Sequence, residues 1–367
     1  MRIYLEIARD VRKNMDKKIL VIGNSYMNLR MKINPKKKEG NTVESGAYRF
    51  HAFGKSVSTA ISIAKLGGSC AFCTKLGADT NGERLMRYYE KCGIITDNAE
   101  TVQGYQTGMS VTLYDDFGGH TNYVSRGVGE LISREDIDNA LASYPDALIV
   151  PQEPLLVAHE VEEEISIEDD LSEEKDDSEE KRVHIVKRTE YEDLAVYALN
   201  RAAEQGLDLI LEYNSHTAKL PLESLKNVKT LIISEDEIYA LTGFFPDTAD
   251  KAVRAIISLS AKIKAKFYVI NRNGTSFVYD GNTYEYAEAP HTLKTASEGK
   301  EFFSPIYIGA YAYEFFKSRH PVRAARYAQI VTLLARAANG NLEYIPSKAD
   351  IEKYMAENKI DLNRNSF

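Results

Sequence analysis

A chain of 367 residues, 44% hydrophobic and 27% charged, has enough apolar material for a large core and the balance of an ordinary globular protein. No stretch reaches the roughly 18–20 consecutive apolar residues of a membrane span, and no basic stripe interleaved with aromatics points to nucleic acid. The net charge of −8 is concentrated between Glu160 and Glu180, where thirteen acids stand with one lysine, so the rest of the chain is mildly basic and compatible with an anionic ligand.

Met1 to Lys18 is charged throughout and lacks the apolar centre of a secretory signal, so residues 1–18 read as an N-terminal extension and the expected location is the cytoplasm. Ile19-Leu-Val-Ile-Gly23 is a continuous apolar run ending in glycine, the pattern of a buried parallel strand. Asn24 to Asn28 then fall at its C-terminal end, where open α/β sheets bind ligands. Residues 29–53 alternate irregularly around the polar turn Pro35 to Gly40 and predict a small β excursion outside the main sheet. Gly54-Lys55-Ser56-Val57-Ser58 opens a helix that stops at Gly67-Gly68.

Cys70 to Leu76 is the next strand. Its Cys70-x-x-Cys73 spacing lacks a second pair or a nearby histidine and reads as core packing. Gly77-Ala-Asp79-Thr-Asn-Gly82 leads into a helix over Glu83–Cys92, and residues 108–125 read as a hairpin about Asp115 to Gly119. Ala147 to Val150 is a strand that ends at Pro151-Gln152-Glu153-Pro154. The acidic run follows; residues 159–186 are too charged to bury and read as a disordered or solvated insertion, with a docking contact as the alternative.

Order resumes with a helix over Glu190–Gln205 and a strand over Leu207–Tyr213 ending at Asn214. Further strands are Thr230–Ile233, ending at Ser234-Glu-Asp-Glu237, and Phe267–Asn271, with a helix over Thr248–Ala265 between them. A polar loop from Pro290 to Pro305 then enters the apolar run Ile306–Phe316, and a helix over Val322–Ala338 and the segment Ala349–Glu357 close the chain. Strand alternates with helix and polar residues collect at strand C-termini. The fold class is therefore α/β, a doubly wound and mostly parallel sheet flanked by helices.

The order of these motifs resembles the ribokinase or PfkB-like family of sugar and nucleoside kinases, over residues 19 to 357. Phe53-Gly54-Lys55-Ser56-Val57-Ser58 with Ala64-Lys65-Leu66-Gly67, the intact Gly77, Asp79 and Gly82, Thr107-Gly108, Glu153 and Leu241-Thr242-Gly243 carry the resemblance. It implies one ribokinase-like domain over 19–367, with residues 29–53 and 108–125 as a small β lid that also supports a homodimer. It implies a sugar-like or nucleoside-like ligand held by Asn28, Gly54, Lys55, Ser58 and Glu153. It also implies ATP near Asn214, Asn273 and Ser297, and Mg2+ at Glu237.

In this family a loop closing in Gly-Ala-Gly-Asp supplies backbone amides for the transferred phosphoryl group and an aspartate for the hydroxyl proton. Here the loop reads Lys294-Thr295-Ala296-Ser297-Glu298-Gly299-Lys300, which puts Gly299 in the amide turn and Lys300 at the base position. A lysine with a pKa of about 10.4 already carries its proton at neutral pH. Ser297 restricts backbone freedom that glycine would supply. Pro305 suits a helix capped by Ser304 and less well one that starts near Glu301. Only Glu237 remains of the Asn-x-x-Glu motif, and the nucleotide turn, Asn271 to Ser276, lacks both family glycines.

Lys55 is read equally as a ligand contact or a surface lysine, while His51 and His291 read as structural. Three readings follow: a ligand-binding homologue with impaired phosphoryl transfer, an active kinase with a rearranged site using Glu298, Glu301 or a water, and an assembly protein using its acidic insertion.

Overall fold

The computed structural model describes residues 17–33, 48–115, 119–143, 145–166, 183–225, 227–272, 274–288, 304–337 and 345–363, and of 158–166 and 183–190 the backbone alone. The first half contains β1 (Lys18–Ile22), β2 (Tyr26–Lys32), β3 (Tyr48–Phe53), α1 (Lys55–Lys65), β4 (Ser69–Gly77), α2 (Thr80–Cys92), β5 (Ala99–Val102), β6 (Met109–Tyr114), β7 (His120–Ser125), α3 (Arg134–Ala142) and β8 (Ala147–Ile149). The ribbon strands β9 (Leu156–Ser166) and β10 (Val183–Asp193) follow. Then come α4 (Leu194–Glu204), β11 (Asp208–Glu212), β12 (Val228–Ser234), α5 (Glu235–Thr242), α6 (Ala249–Ser260) and β13 (Ala265–Arg272). The last elements are β14 (Thr275–Tyr279), β15 (Tyr284–Glu288), α7 (Ser304–Ser318), α8 (Pro321–Ala337) and α9 (Lys348–Glu357).

Nine strands form the main sheet in the order β15-β14-β13-β12-β11-β8-β1-β4-β5. Pairings from β5 to β13 are parallel, and β14 and β15 add antiparallel edge strands. Alternation along β1 shows why its apolar run is continuous: Ile19 and Val21 enter the core on one face, Leu20 and Ile22 the core on the other. The first face is covered by α1, α7 and α8, the second by α3, α4 and α6. Cys70 and Cys73 likewise go to opposite cores, which accounts for two free, buried thiols at a redox-like spacing.

From Pro305 to Phe316, α7 is buried all round, the condition in which a helix is apolar on every side. Its rings stack from Tyr307 to Tyr311 to Phe315, and the two phenols share hydrogen bonds with Ser276 and Thr230. Buried phenols need such partners. The helix is described from Ser304, with Pro305 in its first turn, where the missing N–H costs nothing.

A separate four-stranded sheet, β3-β2-β6-β7, forms the lid. The chain departs from the expected insertion. Residues 159–166 and 183–186 belong to the antiparallel ribbon β9–β10, and only 167–182 lie outside the described residues. The physical reason is period-2 patterning: in sequence Val157, Val161 and Ile165 alternate with the acids, and the backbone register sets position 162 opposite position 187. The ribbon also moves the start of the following helix from Glu190 to Leu194, where Asp193 caps it by accepting from the Ala195 N–H.

Candidate functional site

The C-terminal ends of β1, β8 and β11 meet the N-terminal ends of α1 and α7. Gly54 makes the junction with α1 at φ +133°, a conformation reserved for glycine, and a Cβ there would lie 3.1 Å from the Asn24 carbonyl. Lys55 thus starts α1 directly over the sheet edge. Gly23 lets Ser56 seat on the end of β1; a Cβ at Gly23 would fall 2.1 Å from Ser56 Oγ.

Two carboxylates flank Lys55. Burial pushes the Glu153 carboxyl up to about 7, against the opposing pull of Lys55, Ser56 and Arg126. Burial does the same to Glu212, the last residue of β11, also to about 7, with Lys55 and Asn214 opposing and Glu237 adding to the rise. Glu212 Oε1 accepts the hydroxyl of Ser304 at the head of α7. Asn214 donates to Glu212 Oε2 and to the Gln152 carbonyl, both at 3.3 Å, and accepts the N–H groups of His216 and Thr217. Thr59 ties α1 to Gln152 and to the Pro305 carbonyl. Among the described residues, Asn24 Oδ1, Gln152 Nε2 and Glu153 Oε1 are buried without a hydrogen-bond partner. Buried polar atoms of this kind call for a partner, which a ligand or a water can supply.

The structure brings Gly54, Lys55, Glu153 and Asn214 together here. Ser58 is also at the site, but its hydroxyl donates back to the Gly54 carbonyl. Asn28 lies in the lid sheet, where its amide donates to Thr112 Oγ1 at 2.9 Å and stands 3.3 Å from His51 Nε2. Burial, with Arg30 adding to it, lowers the His51 pKa to about 4. Asn273, His291, Ser297, Gly299 and Lys300 lie outside the described residues, as do Glu298 and Glu301. The sequence placed Asn24 at a ligand-binding strand end and named Gln152 beside Glu153 without a role, but gave no role to Glu212 or His216. The one available signal was a carboxylate closing the apolar strand that ends at Tyr213.

At the positions expected for nucleotide and Mg2+, the side chains have internal partners. Glu237 completes a capping box, accepting from Ser234 Oγ at 2.8 Å and Ser234 N at 3.3 Å. Arg272 donates to Glu235 at 2.7 Å and to the Pro246 carbonyl at 3.2 Å, and Asn271 accepts from Gln329 at 2.8 Å. Arg272 and Glu235 line a cavity of about 410 Å³ with Thr275, Tyr286 and Glu288. Two carboxylates against one guanidinium make its wall a poor fit for a triphosphate. Among the described residues no His, Cys, Asp and Glu group is arranged to hold a metal ion, and no helix is long and apolar enough to cross a membrane.

The nine-stranded sheet with its flanking helices and the small separate sheet make up a ribokinase-like α/β fold, with a polar cleft at the strand ends. Residues 16–153 match the model of the pfkB family carbohydrate kinases, and the chain is similar to deoxyribokinases and ribokinases. A deoxyribokinase of Salmonella typhi is 23% identical over 343 residues, covering 93% of this chain and 99% of that protein. Arabidopsis thaliana ribokinase, solved with ribose and ATP, superposes with a TM-score of 0.68 at 17% identity, over 92% of this chain and 98% of that one. A Burkholderia thailandensis nucleoside kinase, solved with inosine, gives a TM-score of 0.62 at 12% identity, over 92% and 97%.

Proposed function

We propose that this chain binds a sugar-like or nucleoside-like small molecule in the cleft around Lys55 and Glu153, and that ATP-dependent phosphoryl transfer to it is impaired or lost. The carrying observation is the set of buried, unpartnered polar atoms on Asn24, Gln152 and Glu153. Two acceptors and one donor on residues that follow the C-terminal ends of β1 and β8 suit a polyhydroxylated ligand, whose hydroxyls both give and accept hydrogen bonds. The ligands in the Arabidopsis and Burkholderia structures, ribose and inosine, belong to that class.

Impaired transfer is supported by Lys300 at the base position and by the internal engagement of Glu237 and Arg272. The test is calorimetry on the full chain with ribose, 2-deoxyribose, inosine and Mg-ATP, alongside a coupled ADP-release assay. Heat with a sugar or nucleoside, abolished by Glu153→Gln and unaccompanied by turnover, is expected. Absence of heat with all three sugar-type ligands refutes the binding reading, and steady ADP release with any of them refutes the impairment.

A second reading, an active kinase with a rearranged base, is favoured by one observation: Glu153 and Glu212 both titrate at about 7, where a carboxylate can take a proton. The ADP-release assay decides between the two. A homodimer through the lid is supported by the exposed Tyr48, Phe50, Tyr123 and Val124 on its strands, and sedimentation of a Tyr123→Glu variant tests it.

A further inference from the structure

Beside the cleft, His216 is held in a way that its position in the chain does not require. Its backbone N–H donates to Asn214 Oδ1 at 2.9 Å, which fixes the turn leaving β11. Its ring is buried, with 8% exposure, and Nδ1 stands 3.5 Å from Asp193 Oδ2. Asp193 is itself immobilised, because its other oxygen accepts from the N–H groups of Leu155 at 3.1 Å and Ala195 at 3.0 Å. Nε2 is buried and has no hydrogen-bond partner among the described residues.

Burial lowers the His216 pKa, and Lys55 and Lys219 push the same way against Asp193. Burial and the two lysines thus favour the neutral ring. With its proton on Nδ1, facing the carboxylate, Nε2 is left as a lone-pair acceptor. A structural histidine would have both nitrogens satisfied. This one has a desolvated nitrogen without a partner, in the field of the same lysine that acts on Glu153 and Glu212.

We propose that His216, positioned by Asp193, is a further ligand-binding residue of this cleft, its Nε2 accepting a hydrogen bond from a hydroxyl of the bound sugar-like molecule. The inference rests on the ligand-binding reading above and adds a contact to it. A site built to receive a hydroxyl loses more when the acceptor is removed than when its shape is slightly changed, because the ligand hydroxyl is then desolvated without a partner.

The experiment is calorimetric titration of the full chain with ribose, 2-deoxyribose and inosine, comparing wild type, His216→Phe and His216→Gln. Glutamine offers an acceptor near the Nε2 position; phenylalanine keeps the ring and removes it. Binding at least tenfold weaker in His216→Phe, restored to within about threefold by His216→Gln, with unliganded melting temperatures close to wild type, is expected. Equal affinity in wild type and His216→Phe overturns the inference while leaving the binding reading intact. Equal weakening in both variants overturns the hydrogen bond. No binding by wild type overturns the binding reading and this inference with it. Should His216→Phe not fold, His216→Leu makes the same comparison.

Discussion

Ser304, the first described residue of α7, donates its hydroxyl to Glu212 at the end of β11, across 92 residues of chain. The buried carboxyl therefore sits at a helix N-terminus, where the partial positive charge of unpaired N–H groups favours an anion. A helix start of this kind is a general place for an external anion such as a phosphate. Here a side chain of the protein itself is anchored there.

A first prediction concerns pH. Glu153 and Glu212 have folded pKa values raised from 4.5 to about 7. A carboxyl with a raised pKa keeps its proton longer in the folded state than in the unfolded state, so its burial costs nothing below about 4.5 and its full amount above about 7. At 1.36 kcal/mol per unit, that cost is at most about 3 kcal/mol for each group. Thermal stability of the wild type should fall between about pH 5 and 7.5 more steeply than that of the Glu153→Gln/Glu212→Gln variant. Parallel melting curves across that window would place both carboxyls in the ordinary range.

A second prediction concerns the base position. Substituting Lys300→Asp supplies a carboxylate, but it does not release Glu237 from its capping box or Arg272 from Glu235. The variant should therefore stay without measurable ADP release on ribose, 2-deoxyribose or inosine. Robust turnover would mean that Lys300 alone had silenced the site and that the internal bonds on the nucleotide side yield readily.

How much of this was legible beforehand depends on whether the signal was local. Ile19 to Ile22 could be read as a buried parallel strand because burial on both faces demands an unbroken apolar run, and the structure pairs β1 in parallel on both sides. Asp79 was legible as well: it caps α2 by accepting from Gly82 N, and it also holds Thr107 at the entrance to the lid. Glu212 was not, since a single acid at the end of an apolar strand carries no mark of what lies across from it. His216 gains its meaning from Asp193, a residue 23 positions away and reached only through the fold. The β9–β10 ribbon was hidden by net charge; the alternation of Val157, Val161 and Ile165 was present but outweighed by the count of acids.

A third prediction addresses how the site is seated. In Gly23→Ala the new methyl would meet Ser56 Oγ at 2.1 Å and Ser56 Cβ at 2.4 Å. A Cβ so close to the side chain's root cannot be avoided by a rotamer change alone, so the start of α1 must move. A stability loss of roughly 1–3 kcal/mol is expected from such overpacking, together with loss of ribose or inosine binding, because Lys55 moves with the helix. Denaturant titration and calorimetry read the two effects separately. Full affinity in the variant would show that the α1 N-terminus contributes nothing to the cleft.

The last prediction isolates the lid. Thr112 on β6 joins two strands through its hydroxyl, which accepts from Asn28 at 2.9 Å and donates to Asn122 at 2.6 Å, with His51 completing the group at 3.3 Å from Asn28. Thr112→Val preserves shape and removes the hydroxyl, leaving the buried Asn28 amide with only His51 to face. Loss of a buried partner costs about 1–3 kcal/mol. Because the lid is a sheet separate from the nine-stranded one, that loss should be local. Hydrogen exchange is expected to quicken in β2, β6 and β7 while β1, β8 and β11 keep their protection. Uniform loss of protection would mean that the lid and the main sheet unfold as one unit. Unchanged exchange throughout would mean that the Asn28 group is not what holds the lid strands together.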